Sequence, residues 1–322
     1  MEEHQKAPHI PVMADAVLEW LAIRPEGCYI DCTVGAGGHS SQILARLTTR
    51  GRLLGLDRDP DALALAGARL ERIRANTEAE CRLVHANYGA VDAVVAELGW
   101  SGVDGILIDA GVSSMQLDQA QRGFSFQVSG PLDMRMDTTS GETARAWLAQ
   151  QNEATLSAVL RRYGDVGPAK RIAAAILRRR DAMQLERTED LVAAIRDALS
   201  FVKGEPDEIR TVFQAIRMAV NAELEGLERG IEAAISVLNP GGRLVVLTFH
   251  SGEDRVVKQA LRAASRKERL LRPDGRILKE IPPRVVLLTR KPVLPDEEEM
   301  ARNSRSKSAK LRAVQRLAQG AS

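Results

Sequence analysis

The stretch Cys28-Tyr-Ile-Asp31-Cys-Thr-Val-Gly35-Ala-Gly37-Gly38-His39-Ser40 decides how the rest of the chain reads. A short apolar run gives way to three glycines within four residues, and Ile43, Leu44 and Leu47 then share one helical face. Strand, tight turn and helix in that order open an α/β sheet. Outward from there, Arg52–Leu56 reads as a second strand ending at Asp57, and Cys81–His85 as a third. Gly105–Ile108 is a fourth, ending at Asp109. Arg243–Thr248, after the turn Asn239-Pro240-Gly241-Gly242, is a fifth, and Arg284–Leu288 a late edge strand. Amphipathic stretches separate these runs, which predicts a mostly parallel sheet covered on both faces.

The stretch from about Gln116 to Arg210 departs from that rhythm. It opens with the loop Arg122-Gly-Phe-Ser-Phe126 and then shows apolar residues at three-to-four spacing over Ala146–Leu160, Ala169–Leu177 and Leu191–Leu199. The expected organisation is a discontinuous α/β core, residues 1–115 and 211–322, around a helical substrate-recognition insertion, residues 116–210. The last segment, 301–322, is rich in Ser and Arg and predicts a weakly helical close around Leu311 to Leu317.

Composition narrows the class. Across 322 residues, 44% are hydrophobic and 27% charged, an ordinary globular balance. The apolar runs are too short to span a bilayer, and the polar residues 1–9 lack a signal-peptide core, so a cytoplasmic protein without membrane contact is expected. Cys28, Cys32 and Cys81 form no CxxC pair, which speaks against a zinc site or a disulfide framework. From Arg255 to Ser322 there are 18 Lys and Arg against 7 Asp and Glu, although the whole chain carries only +2. That asymmetry points either to a polyanionic partner or to a solvated tail balancing an acidic core.

Ligands of open α/β sheets bind beyond the carboxyl ends of the strands. Gly35, Gly37 and Gly38 allow a sharp turn there and close approach of a ligand to backbone. Asp57, about 20 residues further on, stands where an acid binds ribose hydroxyls. A dinucleotide site calls for GxGxxG, but the third glycine position holds Ser40. S-adenosylmethionine carries no phosphate, so a looser loop suffices for it. A purely structural turn, with Asp57 capping a helix ahead of Pro60, is the third alternative. His39, within the loop, is better placed to touch a cofactor than to do chemistry.

Asp109-Ala-Gly-Val-Ser113-Ser114 follows the fourth strand. A carboxylate and two hydroxyls can orient an acceptor amine, and Asp109 would localise the lone pair of an exocyclic base amine. Asp109 and the serines capping a helix is an equal alternative. Phe124 and Phe126 matter because aromatics make up only 3% of the chain; they either stack on an extruded base or anchor their loop. His250, in Thr248-Phe-His-Ser-Gly-Glu-Asp-Arg255, is a base, a substrate contact or a hydrogen-bonded loop element.

Together these segments resemble the RsmH (MraW) family of bacterial 16S rRNA cytosine-N4 methyltransferases. The resemblance is carried by His9-Ile-Pro-Val-Met13, Asp31 to Ser40, Gly55 to Pro60, Asp104 to Asp118, Arg122 to Asp137, Tyr163-Gly164, Ala169 to Ile172, Phe213 to Leu224, Gly241 to Lys258 and Ser304 to Leu311. It implies a class I methyltransferase core, Rossmann-like, with S-adenosyl-L-methionine as cofactor. The implied reaction is methylation of the N4 amine of a cytosine in the decoding region (P site) of 16S rRNA. Asp109 is the catalytic candidate, and no metal is called for. By motif, the implied cofactor contacts are Gly35, Gly37, Gly38, His39, Asp57, Tyr88, Asp109 and Gln116, with Tyr88 placed against the adenine. Ser113, Ser114, Phe124, Phe126 and His250, read from the residues themselves, are the candidate substrate contacts. The partner is 16S rRNA, within the 30S subunit, and a homodimer is admitted.

Ala110 and Gly252 stand where the family usually has leucine, which removes packing and loosens the loop at Gly252. The cysteines, in strands rather than an acceptor loop, disfavour the cysteine-adduct route to ring-carbon methylation. A nicotinamide-dependent oxidoreductase is the first rival, and a noncatalytic RNA-binding factor the second. The basic segment 301–322, with Arg302, Arg305, Lys307, Lys310, Arg312 and Arg316, is expected to grip rRNA phosphates and to be removable without loss of cofactor binding. Lys170, Arg171 and Arg178 to Arg180 are the reserve for that grip.

Overall fold

Strand β1 (Cys28–Asp31) is buried at all its positions, so it belongs inside a sheet and not at its edge. The computed structural model describes residues 10–271 and 276–318. It divides into two compact units, one of residues Met1–Gly111 with Leu224–Ser322, the other Val112–Glu223.

In the first unit, β1 pairs in parallel with β2 (Arg52–Asp57) on one side and β4 (Val103–Asp109) on the other. Outside β2 lies β3 (Glu80–His85), and β4 is followed by β5 (Leu238–Thr248), both parallel to their neighbours. Strands β8 (Val285–Leu287) and β9 (Lys310–Arg316) complete the order β3-β2-β1-β4-β5-β9-β8. Only β9 runs against the rest. This is the mostly parallel, Rossmann-like sheet expected from the strand pattern. The antiparallel hairpin β6 (Glu268–Leu271) with β7 (Ile277–Ile281) stands apart from it.

Both faces are covered because both faces are apolar. Tyr29, Leu53, Leu107, Val245 and Leu247 pack under α1 (Ala14–Leu21), α2 (Gly38–Leu44) and α3 (Pro60–Thr77). Ile30, Leu54, Ile106, Leu244 and Val246 pack under α4 (Val91–Glu97), α11 (Glu223–Val237) and α12 (Ser251–Ala264). Cys28 and Cys32 share the latter face, buried and free, as their spacing implied. No helix among the described residues is long and apolar enough to cross a membrane.

The C-terminal segment corrects one expectation and bears on a second. Residues 310–316 form a strand, not a helix, and they sit between β5 and β8. Leu311 and Ala313 face one side of the sheet and Val314 the other, which hides the period-two signal of a half-exposed strand. Three of the six cations expected to hold RNA lie against acids of the fold. Arg312, 7% exposed, donates from Nε to Asp254 Oδ1 at 2.7 Å and from NH2 to Oδ2 at 3.2 Å. Lys310 lies 4.0 Å from the same carboxylate, and Arg302, on α13 (Glu297–Arg302), donates to the buried Glu299 at 2.7 Å.

The second unit is helical. Helices α5 (Ser114–Asp118), α6 (Ala144–Ala149), α7 (Glu153–Gly164), α8 (Ala169–Asp181), α9 (Thr188–Ala198) and α10 (Glu208–Val220) follow in order. The stretch read as one helix over Ala146–Leu160 is broken at Asn152, whose side chain accepts from Thr155 N and starts α7. The unit extends to Glu223, past the 210 set from sequence, because Val212, Phe213, Ala215 and Ile216 of α10 enter its core. Its start at Val112 likewise precedes residue 116.

Asp254→Ala is expected to lower stability by about 3–5 kcal/mol, since it leaves Arg312 buried without a counter-charge. Ending the chain before Lys310 is expected to abolish cooperative unfolding altogether, because β5 and β8 then lose their shared neighbour. Urea unfolding followed by circular dichroism measures both. An unchanged midpoint in Asp254→Ala would remove the pair from the fold's support.

Candidate cofactor and acceptor site

Register brings the acids of three strands to one edge. Asp31 is level with Gly55 of β2 and with Leu107 of β4. Asp57 and Asp109 therefore both lie two residues further on, flanking the continuation of β1 at Thr33. Strand order reverses across this point, because β2 and β4 flank β1, and a reversal of this kind is where α/β sheets open a crevice.

Hydrogen bonds then fix the loop. The Asp57 carboxylate accepts from Gly35 N at 2.8 Å and from Asp59 N at 2.9 Å. Asp57 does not cap the next helix; Asp59 does, accepting from Asp61 N at 3.1 Å. Burial pushes Asp57 up to about 6, against the lowering pull of those two backbone donors. Gly37 starts α2 at φ 80°, a conformation that strains any residue with a Cβ. Asp31 is fully buried, accepting from Thr33 N at 3.1 Å and from Ser40 Oγ at 2.6 Å. Burial raises its pKa, with His39 and the Ser40 bond opposing. Thr33 Oγ1 in turn accepts from Asp109 N at 2.7 Å. Sequence reading did not single out Asp31, Thr33 or Ser40 as a network. The absent third glycine was its one visible trace.

His39 Nε2 lies 3.6 Å from Asp109 Oδ2, too far for a hydrogen bond. His39 Nε2 and Asp109 Oδ1 are both buried with no hydrogen-bond partner. Such atoms are rare in folded proteins, and a polar ligand group between them would satisfy both. Asp57 also keeps lone pairs beyond the two its amide donors occupy. Two carboxylates, an imidazole and a glycine turn therefore fit a charged, hydroxyl-bearing cofactor such as S-adenosylmethionine. Tyr88 follows β3 as placed from sequence, but its ring is 7% exposed and rests against α11. A Cβ at Gly230 would come within 2.6 Å of that ring.

His250 begins α12, where its Nδ1 accepts from Glu253 N at 3.3 Å. Its Nε2 is 3.1 Å from Glu253 Oε1 but not aligned to bond. Of the three readings of His250, the loop element is the one its contacts describe. Glu253 also accepts from Phe249 N and His250 N, so the turn holding Gly252 is pinned rather than loose. Ala110 is buried, with its N–H donated to Leu247 O at 3.0 Å. Burial pushes the thiols of Cys28 up to about 12 and Cys81 up to about 11, and Cys32 well above its usual range. Among the described residues no cluster could hold a metal ion.

Within the helical unit, Ser113 caps α5: its Oγ accepts from Gln116 N at 3.2 Å, and Gln116 Oε1 accepts from Ser113 N at 3.0 Å. The capping alternative thus describes Ser113, though not Asp109. Ser114 is the first residue of α5. Phe124 is buried, with the Arg122 guanidinium 5.9 Å from its ring centre, and so anchors its loop. Phe126 is 37% exposed, edge-on to Phe213 with 5.8 Å between centres. Two residues not singled out from sequence hold the surrounding motif. Arg122 donates to the carbonyls of Arg135 and Met136 at 3.1 and 2.9 Å, and Asn221 bridges Met134 O and Met136 N at 2.7 and 2.8 Å.

Comparison with known proteins accords with this geometry. A relative from Heliobacterium modesticaldum, named ribosomal RNA small subunit methyltransferase H, is 47% identical over 315 residues, covering 96% of this chain and 98% of its own. Another of that name, from Nitratidesulfovibrio vulgaris, is 48% identical and covers 97% of this chain and 86% of its own. A third, from Methylococcus capsulatus, is 46% identical over 95% of this chain and all of its own length. The profile of the MraW methylase family matches residues 6–317, and the chain belongs to that family.

Proposed function

We propose that this protein is a methyltransferase that transfers a methyl group from S-adenosylmethionine to the N4 amine of a cytosine in small-subunit rRNA. The observation that carries this reading is Asp109, at the end of β4, with a buried carboxylate oxygen free of partners beside an equally unpartnered His39 Nε2. The substrate is the P-site cytosine of 16S rRNA in the 30S subunit.

When bound, the cofactor supplies a methyl group on a positively charged sulfur. Asp57 holds its ribose hydroxyls, while Gly35, Gly37, Gly38 and His39 shape the turn around it. Asp109 accepts a hydrogen bond from the amine N–H, which localises the nitrogen lone pair that conjugation otherwise spreads into the ring. After transfer the nitrogen carries one proton too many, which passes to the carboxylate or to water. On the helical unit, Phe126 is the partly exposed ring of its loop and is suited to stack on an unpaired base. Ser113 and Phe124 serve this scheme by ordering their segments, and Gln116, which closes the cap with Ser113, is the further cofactor contact of the scheme. No thiol takes part, because burial keeps the three cysteines protonated.

Incubation with labelled cofactor and unmethylated 30S subunits, followed by digestion to nucleosides, is expected to yield N4-methylcytidine. Label in any other nucleoside would overturn the assignment. Asp109→Asn keeps the shape but weakens the acceptor, and turnover is expected to fall about 100-fold or more. Cofactor affinity measured alongside separates a loss of chemistry from a loss of binding.

Asp57 gives a pH signature. With its pKa raised to about 6, it loses its charge as pH falls through that value, and with it the stronger hydrogen-bond acceptor. Cofactor affinity should be level above about pH 7 and roughly tenfold weaker at pH 5. Asp57→Ala should weaken binding by about 1.5–3 kcal/mol and remove that step. Calorimetry giving the same pH profile for both proteins would assign the step elsewhere.

A further inference from the structure

Helix α12 leaves the sheet directly after β5, whose Leu247 is level with Asp109. Val257, Leu261 and Ala264 turn inward to the core. The opposite side carries Arg255, Lys258, Arg262 and Arg266 at spacings of three and four, so the four cations form one stripe. The eleven steps from Arg255 to Arg266 span about 16 Å of helix and the turn beyond it. Arg255, Arg262 and Arg266 are exposed and Lys258 is half-buried. None of the four side chains has a hydrogen-bond or ion-pair partner among the described residues.

What sets them apart is the fate of the acids around them. Asp254, the acid nearest in sequence, is committed to Arg312. Glu280 is shared by Lys267 and Arg269, Glu232 holds Arg284, and Glu299 holds Arg302. The outer side of α12 and the turn after it thus carry four cations with no acid against them, whereas Arg302 and Arg312 of the segment 301–322 are met by Glu299 and Asp254. The stripe also starts beside the acceptor edge: a Cβ at Gly111, two residues past Asp109, would lie 3.6 Å from Glu253 and Phe249 at the head of α12.

We propose that the outer stripe of α12 is a phosphate track that holds the RNA backbone leading from the target cytosine. The inference rests on the rRNA methyltransferase reading and adds the surface that grips the substrate. A flexible polyanion suits an unpaired, acid-free row of long cationic side chains, and such contacts position a strand without reading its bases.

Four phosphate contacts to a single strand contribute about 2.8 to the slope of log affinity against log salt, or about fiftyfold between about 50 and 200 mM. The test is binding of the full chain to unmethylated 30S subunits over that salt range. The double variant Arg262→Gln, Arg266→Gln is expected to lower the slope by about 1.4, and the quadruple variant adding Arg255→Gln and Lys258→Gln by about 2.8. The KM for subunits should rise while kcat at saturation changes little in the double variant, and cofactor affinity stays unchanged. Thermal melts confirm that these surface variants fold. A slope equal to that of the unaltered protein overturns the track, even where methylation proceeds and the wider reading stands. If the unaltered protein neither binds nor methylates subunits, the wider reading itself fails. Loss of binding to phosphatidylserine vesicles without loss of RNA binding would assign the stripe to a membrane surface and also overturn it.

Discussion

The hydrogen bond from the Asp109 amide to the Thr33 hydroxyl joins two strand ends at the place where a reversed strand order would otherwise let them part. Thr33 is itself held by Asp31, and Asp31 by Ser40 in the first turn of α2, so the glycine loop, α2 and the end of β4 behave as one assembly. The constraint is electrostatic. A carboxylate removed from water costs several kcal/mol unless its lone pairs are met, and Asp31 has no exposure at all. The Ser40 hydroxyl is thus tied to the burial of Asp31. A glycine there, as a dinucleotide loop would have it, would leave the carboxylate short of a donor. Asp57 obeys the same rule less completely, with two amide donors and a pKa still raised to about 6.

The sheet imposes a second constraint, since it is finished only by residues far from its start. β9 fills the gap between β5 and β8 and brings a charged side chain into a layer otherwise apolar. Arg312 is tolerated there because Asp254, on α12, meets it through two nitrogens. For this reason the segment looked like a basic tail: Leu311, Ala313 and Val314 are buried on both faces, so nothing alternates, and the arginine masks the apolar run. The parallel strands β1, β2 and β4 were legible because each ends in a conspicuous acid. The break between α6 and α7 was not, because Asn152 acts by a local cap that an apolar period does not register.

Within the site, legibility followed the same division. Gly37, Asp57 and Asp109 could be picked out singly, because each stands at a strand end where an open sheet binds ligands. Asp31, Thr33 and Ser40 act only through one another, and their meaning depends on a register between strands that local sequence does not express. Ser113 was legible as one of two alternatives, cap or substrate contact, and His250 only as a polar loop residue, because choosing the cap needs the backbone geometry. Phe124 and Phe126 look alike in sequence; burial divides them, placing one in the loop's anchor and leaving the other partly open.

The arrangement also bears on which atom of a base such a site can methylate. A ring carbon is a poor nucleophile and is ordinarily activated by a thiolate adding to the ring, which needs an accessible cysteine of low pKa. Here Cys28 and Cys32 are buried in the sheet, and burial drives every thiol in the chain further from ionisation. An exocyclic amine needs no such adduct. Its nitrogen already carries the lone pair, and the barrier lies in the resonance that withdraws it into the ring. One carboxylate accepting from the amine N–H lowers that barrier, and it needs rigidity more than basicity to do so. In the reaction proposed above, Asp109 brings that rigidity because its own amide is tied to Thr33.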